Sequence, residues 1–368
     1  MSAAENDRAE LDREVLALIR AGVTAPRDDA RFAELALRLF RHQYRHGAAY
    51  RRLCESAGMR SERLDDWRRI PPVPTGAFKQ ARLACFPPGH TRHVFRTSGT
   101  TTQSRGELHL DTLELYEASL RETFRAFICP DFPAVRARFF VLAPSPQDAP
   151  DSSLSHMFGV AVRELAAAGS TFHLHADPAR AWDPAALLRD LGRCDEPALV
   201  AGTAFAFVHL LDHMTEHSVR IELPAGSRVM ETGGFKGRSR EVPREELHAQ
   251  IAARLGVDRA RIVNQYGMCE LGSQLYEPAL LEGHATDWKI VPPWVRSRAL
   301  DPATLDDVPE GEPGVLAHYD LANTGSVLAV LTSDLGRIDG DRLQVLGRVT
   351  GAEARGCSLA ADALLSGA

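Results

Sequence analysis

The feature that most constrains this chain is an alternation of short apolar runs with amphipathic stretches, beginning near residue 94. ARFFVLAPS (137–145), STFHLHA (170–176), PALVAGT (197–203), SRVMETGG (227–234) and RIVNQYG (261–267) read as buried strands, each closing on turn-forming or polar residues. Helix patterns lie between them. The clearest covers 243–255, with Leu247, Ile251 and Leu255 on one face and Gly256 placed to stop it. Such alternation predicts an α/β fold with functional residues in the loops that follow the strand ends.

Two regions depart from the alternation. Residues 313–348 hold PGVLAHY, SVLAVLTSD and LQVLGR, close-spaced strands separated by NTG and DG, which predicts a β-meander. The first 70 residues carry helical spacing instead, in Leu11, Val15, Leu16 and Ile19 and again in Phe32, Leu35, Leu37, Leu39 and Phe40. Pro71, Pro72 and Pro74 then break the pattern and make RIPPVPTG an extended connection. The expected division is a helical lead-in over 1–70, a main domain over 71–346 and a short mobile tail over 347–368.

Composition narrows the function classes. With 44% hydrophobic and 25% charged residues, the chain is neither disordered nor fibrous. A net charge of −6 gives no general attraction to nucleic acid, so none is expected as a partner. The longest apolar-leaning run, 197–211, contains Thr203 and His209 and falls short of a bilayer span. The N-terminus, MSAAENDRAELDRE, lacks the apolar stretch of a secretory signal, and a cytoplasmic location is expected. No two of the six cysteines are closer than 31 positions, so no CxxC metal or redox motif exists, and most should be small buried hydrophobes. Only three of the 43 basic residues are lysines: Lys79, Lys236 and Lys289.

Three segments can carry chemistry. In Arg96-Thr97-Ser98-Gly99-Thr100-Thr101-Thr102, small hydroxyl residues around a glycine let N–H and hydroxyl groups converge on phosphate oxygens. A flexible surface turn would look the same, and the lysine and second glycine of the GxxxxGKS loop are absent. In Asn264-Gln265-Tyr266-Gly267-Met268-Cys269-Glu270 an aromatic ring followed by glycine can lie against a planar base, and a carboxylate nearby can reach a metal. A plain strand-to-helix turn is the alternative. In Thr332-Ser333-Asp334, ahead of Gly347-Arg348, an acidic residue at a strand end can accept ribose hydroxyls or merely cap a turn. His42/His46 and His213/His217 have i, i+4 spacing but no further ligand at metal-site spacing, and are expected to be solvated helix faces. His156 is expected to line a pocket.

Taken in order, TSGTT (97–101), NQYGMCE (264–270), TSDLG (332–336) and GR (347–348) resemble the motifs of the adenylate-forming (acyl- and aryl-CoA synthetase) superfamily. IPPVPTGAFKQ (70–80), METGGFKGRSREVPREEL (230–247), NQYGMCELGSQLYE (264–277) and EARGCSL (353–359) are similar, more narrowly, to the acyl-protein synthetase (LuxE-type) family. The fold this resemblance implies is an α/β adenylate-forming large domain with a helical lead-in, a C-terminal β-meander and a truncated C-terminal segment. The activity it implies is ATP-dependent activation of a carboxylic acid to acyl-adenylate, then acyl transfer to a cysteine near the C-terminus and on to a partner, a reductase or a carrier protein.

The resemblance also implies roles for single residues. Thr97, Ser98, Gly99, Thr100 and Thr101 would hold phosphates of ATP. Tyr266, followed by Gly267, would stack on adenine and Asn264 would contact its edge, with Gly233 and Gly234 also on the nucleotide side. Glu270 would coordinate Mg²⁺, Asp334 would take the ribose hydroxyls, Arg348 would sit at the hinge, and Cys357 would accept the acyl group. Most superfamily members have a glycine and then a lysine after the first Thr-Thr pair, where Thr102 and Arg105 stand here. Only twenty residues follow Arg348, so the usual C-terminal domain with its catalytic lysine is missing. Lys236 is the first candidate to replace that lysine and Lys79 the second. A CoA ligase, an amide- or ester-forming ligase, and a catalytically weak binding subunit of a reductase complex are the alternative readings.

Overall fold

The structure, a computed structural model, describes residues 3–59, 64–97, 105–177, 182–233 and 242–349. It divides into two compact units. One comprises Met1–Glu122, Met268–Gln274 and Ile290–Ala368, the other Thr123–Gly267 and Leu275–Lys289. The chain begins with helices α1 (Ala3–Arg20), α2 (Asp29–His46) and α3 (Ala48–Ser56), followed by strands β1 (Val73–Pro74), β2 (His93–Arg96) and β3 (Glu107–Leu110) and helix α4 (Glu114–Ile128). The middle of the chain runs β4 (Arg138–Leu142), α5 (Ser153–Leu165), β5 (Thr171–Phe172), α6 (Pro184–Gly192), β6 (Ala198–Thr203), α7 (Ala204–Glu216), β7 (Arg228–Thr232), α8 (Arg244–Leu255) and β8 (Ile262–Tyr266). Then come β9 (Leu275–Tyr276), α9 (Ala279–Glu282), β10 (Trp288–Ile290), β11 (Val295–Leu300), β12 (Gly314–Asp320), β13 (Ala329–Asp339) and β14 (Arg342–Arg348).

In the second unit β5, β4, β6, β7 and β8 lie side by side in that order, all parallel, with β9 antiparallel on β8. All five strands expected from the apolar runs are present. Every residue of β7 and all but the last of β6 are buried. Burial without alternation is what a parallel sheet covered on both faces requires. On one face Phe140, Val200 and Val229 from the strands pack with Phe207 and Leu210 from α7 and Leu247, Ile251 and Leu255 from α8. Helix α8 stops where expected, because Gly256 adopts a left-handed φ of 64° and donates its N–H to the carbonyl of Ala252. Thr203 ends β6 and starts α7, accepting the N–H of Ala206 at 3.1 Å.

In the first unit β11, β12, β13 and β14 form an antiparallel meander, and β1 adds to β13 in parallel. The proline-rich connection is therefore extended because Val73 and Pro74 pair with Val330 and Leu331. Leu11, Val15, Leu16 and Ile19 of α1 and Phe32, Leu35, Leu39 and Phe40 of α2 are buried. Antiparallel β2 and β3 were not apparent from their composition. One expectation is corrected here. His42 does not lie on a solvated face but is buried, with Gln43 beside it, on the inner side of α2. Burial pushes its pKa down to about 4, with His46 and Arg8 adding to the effect. The five described cysteines are buried and form no disulfide among the described residues, as expected.

Candidate active site

The parallel strands of the second unit bring their C-terminal ends to one edge, where open α/β sheets take their ligands. Glu231 of β7 is in register with Asn264 of β8, and Thr232 with Gln265. Thr232 Oγ1 donates to the Gln265 carbonyl at 3.1 Å and contacts its side-chain oxygen. Beyond β7, Gly233 turns the chain with φ 78°, and no described atom lies within 4 Å of where a Cβ would stand. Beyond β8, Tyr266 is half-buried and Gly267 exposed.

Asn264 is built into a polar network under that edge. Its Nδ2 donates to Glu231 Oε1 at 2.5 Å, and its backbone N–H donates to Glu277 Oε2 at 2.9 Å. Arg244 reaches Glu277 Oε1 at 3.2 Å and the Asn264 Oδ1 at 3.5 Å. The His248 Nε2 lies 3.0 Å from Glu231 Oε1, and the Lys289 ammonium 3.6 Å from Glu277 Oε1. Glu231, His248, Glu277 and Lys289 are all buried. Burial pulls the Lys289 pKa down, and the Glu277 charge opposes that shift. Two carboxylates facing a lysine and an arginine keep the interior electrically balanced.

In the first unit β2 and β3 pair in register from His93–Leu110 to Arg96–Glu107 and so frame the segment that follows Thr97. Thr97 Oγ1 accepts the N–H of Gly106 at 2.8 Å, and Arg105 donates to the carbonyls of Thr97 and Arg96 at 2.7 and 3.3 Å. Arg105 thereby braces the base of this hairpin. The segment Met268–Gln274 carries Glu270, which is buried, and its carbonyl accepts Asn323 Nδ2 at 2.8 Å. Asp334 pairs with Arg348 in the β13–β14 register, and the Arg348 Nε donates to Asp334 Oδ1 at 3.2 Å.

The other candidates are placed as follows. Lys79 is exposed at the end of a short 3-10 turn over Thr75–Lys79, whereas Lys289 is enclosed. His156 is half-buried in α5. Ser98, Gly99, Thr100, Thr101, Gly234, Lys236 and Cys357 lie outside the described residues. Among the described residues no group of three or more His, Cys, Asp or Glu side chains comes together to hold a metal. A single buried glutamate such as Glu270 fits Mg²⁺, which takes one or two carboxylates and fills its other positions with phosphate oxygens and water.

A family model, acyl-protein synthetase, LuxE, matches residues 9–365. The chain belongs to this family. Two curated relatives carry the name long-chain-fatty-acid–luciferin-component ligase. That of Aliivibrio fischeri is 29% identical over 167 residues, 42% of this chain and 42% of the relative. That of Vibrio harveyi is 22% identical over 330 residues, 87% of this chain and 84% of the relative. Among solved structures, an open conformation of 2-hydroxyisobutyryl-CoA ligase with 2-HIB-AMP and CoA superposes with a TM-score of 0.64 at 16% identity, covering 91% of this chain and 79% of that one. The same ligase in its thioesterification state gives 0.62 at 17%, covering 95% and 69%. The α/β architecture of this acyl-protein synthetase family member is thus that of the adenylate-forming ligases.

Glu231, His248, Arg244 and Glu277 were not singled out in the sequence, and Lys289 was named only as one of three lysines. Glu231 and Glu277 each stand at the end of a short apolar run, a position where a carboxylate is ordinarily solvated. Only the pairing of β8 with β7 on one side and with β9 on the other shows that they face one asparagine.

Proposed function

We propose that the protein activates a carboxylic acid with ATP and passes the acyl group to its own Cys357 and then to a partner protein. A carboxylate oxygen of the acid attacks the α-phosphorus of ATP, forming the acyl-adenylate and releasing pyrophosphate. The Cys357 thiolate then attacks the acyl carbonyl, a thioester forms and AMP leaves. The partner, a reductase or carrier protein, takes the acyl group from that thioester. The reading rests on the family match, which runs from residue 9 to residue 365 and so spans the strand-end residues and Cys357 alike.

Positioning and charge neutralisation would do most of the work, since the first step brings anions together. Thr97, Ser98, Gly99, Thr100 and Thr101 would hold phosphates, with the β2–β3 hairpin as their frame. Tyr266 and Gly267 would present a surface to the base, with Asn264, Gly233 and Gly234 beside it. Asn264 would meet the base already oriented, because Glu231 holds its amide from below. Glu270 would hold Mg²⁺, which would supply charge to the phosphates. Asp334 would receive the ribose hydroxyls, and the Arg348 that it pairs with marks the start of the 347–368 tail, whose movement would deliver Cys357. Lys236 would serve as the catalytic lysine, with Lys79 as the second choice. Lys289 does not qualify, being enclosed beside Glu277. Among the described residues no helix is long and apolar enough to cross a membrane. The reaction would run in the cytoplasm, where ATP is available.

Intact-protein mass after incubation with ATP, Mg²⁺ and a panel of acids tests the reading. An acyl mass added to the wild-type chain, absent from Cys357→Ala and removed by hydroxylamine, is the expected result. Pyrophosphate release with no added mass would contradict the role of Cys357 and point to a ligase with a soluble acceptor. No pyrophosphate with any acid would point to a binding subunit.

A further inference from the structure

The segment Met268–Gln274 is short and has no regular structure, yet it is fastened from several sides within the first unit. Asn323 Nδ2 donates to the Glu270 carbonyl at 2.8 Å. Ser273 Oγ donates to Asp320 Oδ1 at 2.9 Å, and the same oxygen accepts the N–H of Ala322 at 2.9 Å. Trp294 Nε1 donates to Ser273 Oγ at 3.0 Å and to Ser119 Oγ at 3.1 Å, the two hydroxyls being 3.0 Å apart. Gly272 rests directly on the 320–325 turn: a Cβ there would stand 3.0 Å from both the Ala322 Cβ and the Asn323 Oδ1. The turn is in turn tied to α2, where Gln43 donates to the Asn323 carbonyl at 2.9 Å and accepts the Leu328 N–H at 2.9 Å.

Ser119, Ser273, Trp294, Asp320 and Asn323 are all buried. A carboxylate enclosed without a cation is costly, and among the described residues no salt bridge reaches Asp320. Packing alone would be served more cheaply by an apolar side chain. What the polar set supplies is a fixed path for the main chain from the Glu270 carbonyl through Ser273. We infer that Asn323 and Asp320 are positioning residues that act through the Glu270 carbonyl and Ser273 to set the Glu270 carboxylate for Mg²⁺·ATP. This rests on the metal role of Glu270 proposed above. Side chains that orient metal ligands typically change metal affinity about 10- to 100-fold when removed.

The test is calorimetric titration of the full chain with ATP, without acid, once with Mg²⁺ and once with EDTA. Wild type should bind ATP more tightly with Mg²⁺. Asn323→Ala and Ser273→Ala should lose that tightening by about tenfold, with binding in EDTA changed less than about twofold. Asp320→Asn, which keeps an acceptor for Ser273, should stay within about twofold of wild type in both titrations. Glu270→Gln is the reference and should lose the Mg²⁺ effect outright. If Glu270→Gln loses it while Asn323→Ala and Ser273→Ala lose only thermal stability, the positioning role is overturned and the metal role stands. If Glu270→Gln keeps the Mg²⁺ effect, the metal role falls and the positioning role with it.

Discussion

Each of the two units holds a buried polar cluster, and the two clusters handle charge in different ways. In the second unit, at the end of β8, the carboxylates of Glu231 and Glu277 face Lys289, Arg244 and His248. In the first unit, around 268–274 and β12, Asp320 meets a hydroxyl and backbone N–H groups among the described residues, and His318 meets the Ser297 hydroxyl at 2.8 Å. Burial raises the Asp320 pKa to about 6, against the pull of Ser273 and the N–H groups, and lowers that of His318 to about 4. The first arrangement is sensitive to losing a partner; the second is sensitive to pH.

The largest expected effect breaks the charge-balanced cluster. Glu277→Ala would strand the buried Lys289 ammonium and leave the Asn264 N–H without its acceptor, at a cost of about 3–5 kcal/mol in urea unfolding. Pairing Glu277→Gln with Lys289→Met removes both charges and keeps an acceptor, and should recover more than half of that loss. Equal losses for the single and double variants would mean that charge balance is not what holds this cluster.

The pH-sensitive cluster gives the next effects, of opposite sign. His318 stays neutral in the folded chain while an unfolded histidine gains its proton below its ordinary value of 6.5. Its contribution to stability is therefore lost as pH falls from that value towards about 4, on the order of 3 kcal/mol in all. Asp320 works the other way. The folded chain keeps that carboxyl protonated between its ordinary value of 3.8 and about 6, so stability falls as pH rises through that window. Unfolding from pH 4 to 7 should show a flatter acid limb for His318→Gln and the loss of the opposing slope for Asp320→Asn. Parallel curves for wild type and both variants would contradict the assignment. The smallest effect lies outside both clusters: Gly256→Ala should cost about 1 kcal/mol in the same unfolding assay, because φ is 64° there and a side chain is strained.

The contrast also explains what could be read from the sequence. The parallel strands, the α8 stop at Gly256 and the meander were legible because each is coded locally, by apolar density, periodicity and turn residues. Asn264, Tyr266, Glu270 and Asp334 were legible as motif residues. Their supports were not. Asn323 and Asp320 sit in YDLANTG, which looks like an ordinary turn, and Glu231 meets His248 only because β7 and α8 fold together. His42 was misread for the same reason, since the face of α2 that is enclosed depends on residues some 280 positions away, where Gln43 binds the turn at Asn323. Hydrogen bonds across such separations leave no period in the sequence.

The central claim, that this chain adenylates a carboxylic acid before any thiol is involved, is tested most directly by acid-dependent exchange of labelled pyrophosphate into ATP. Wild type and Cys357→Ala should both catalyse the exchange with the same acid, because the cysteine enters only after the adenylate has formed. Absence of exchange in both proteins across fatty, aromatic and hydroxy acids would contradict the claim.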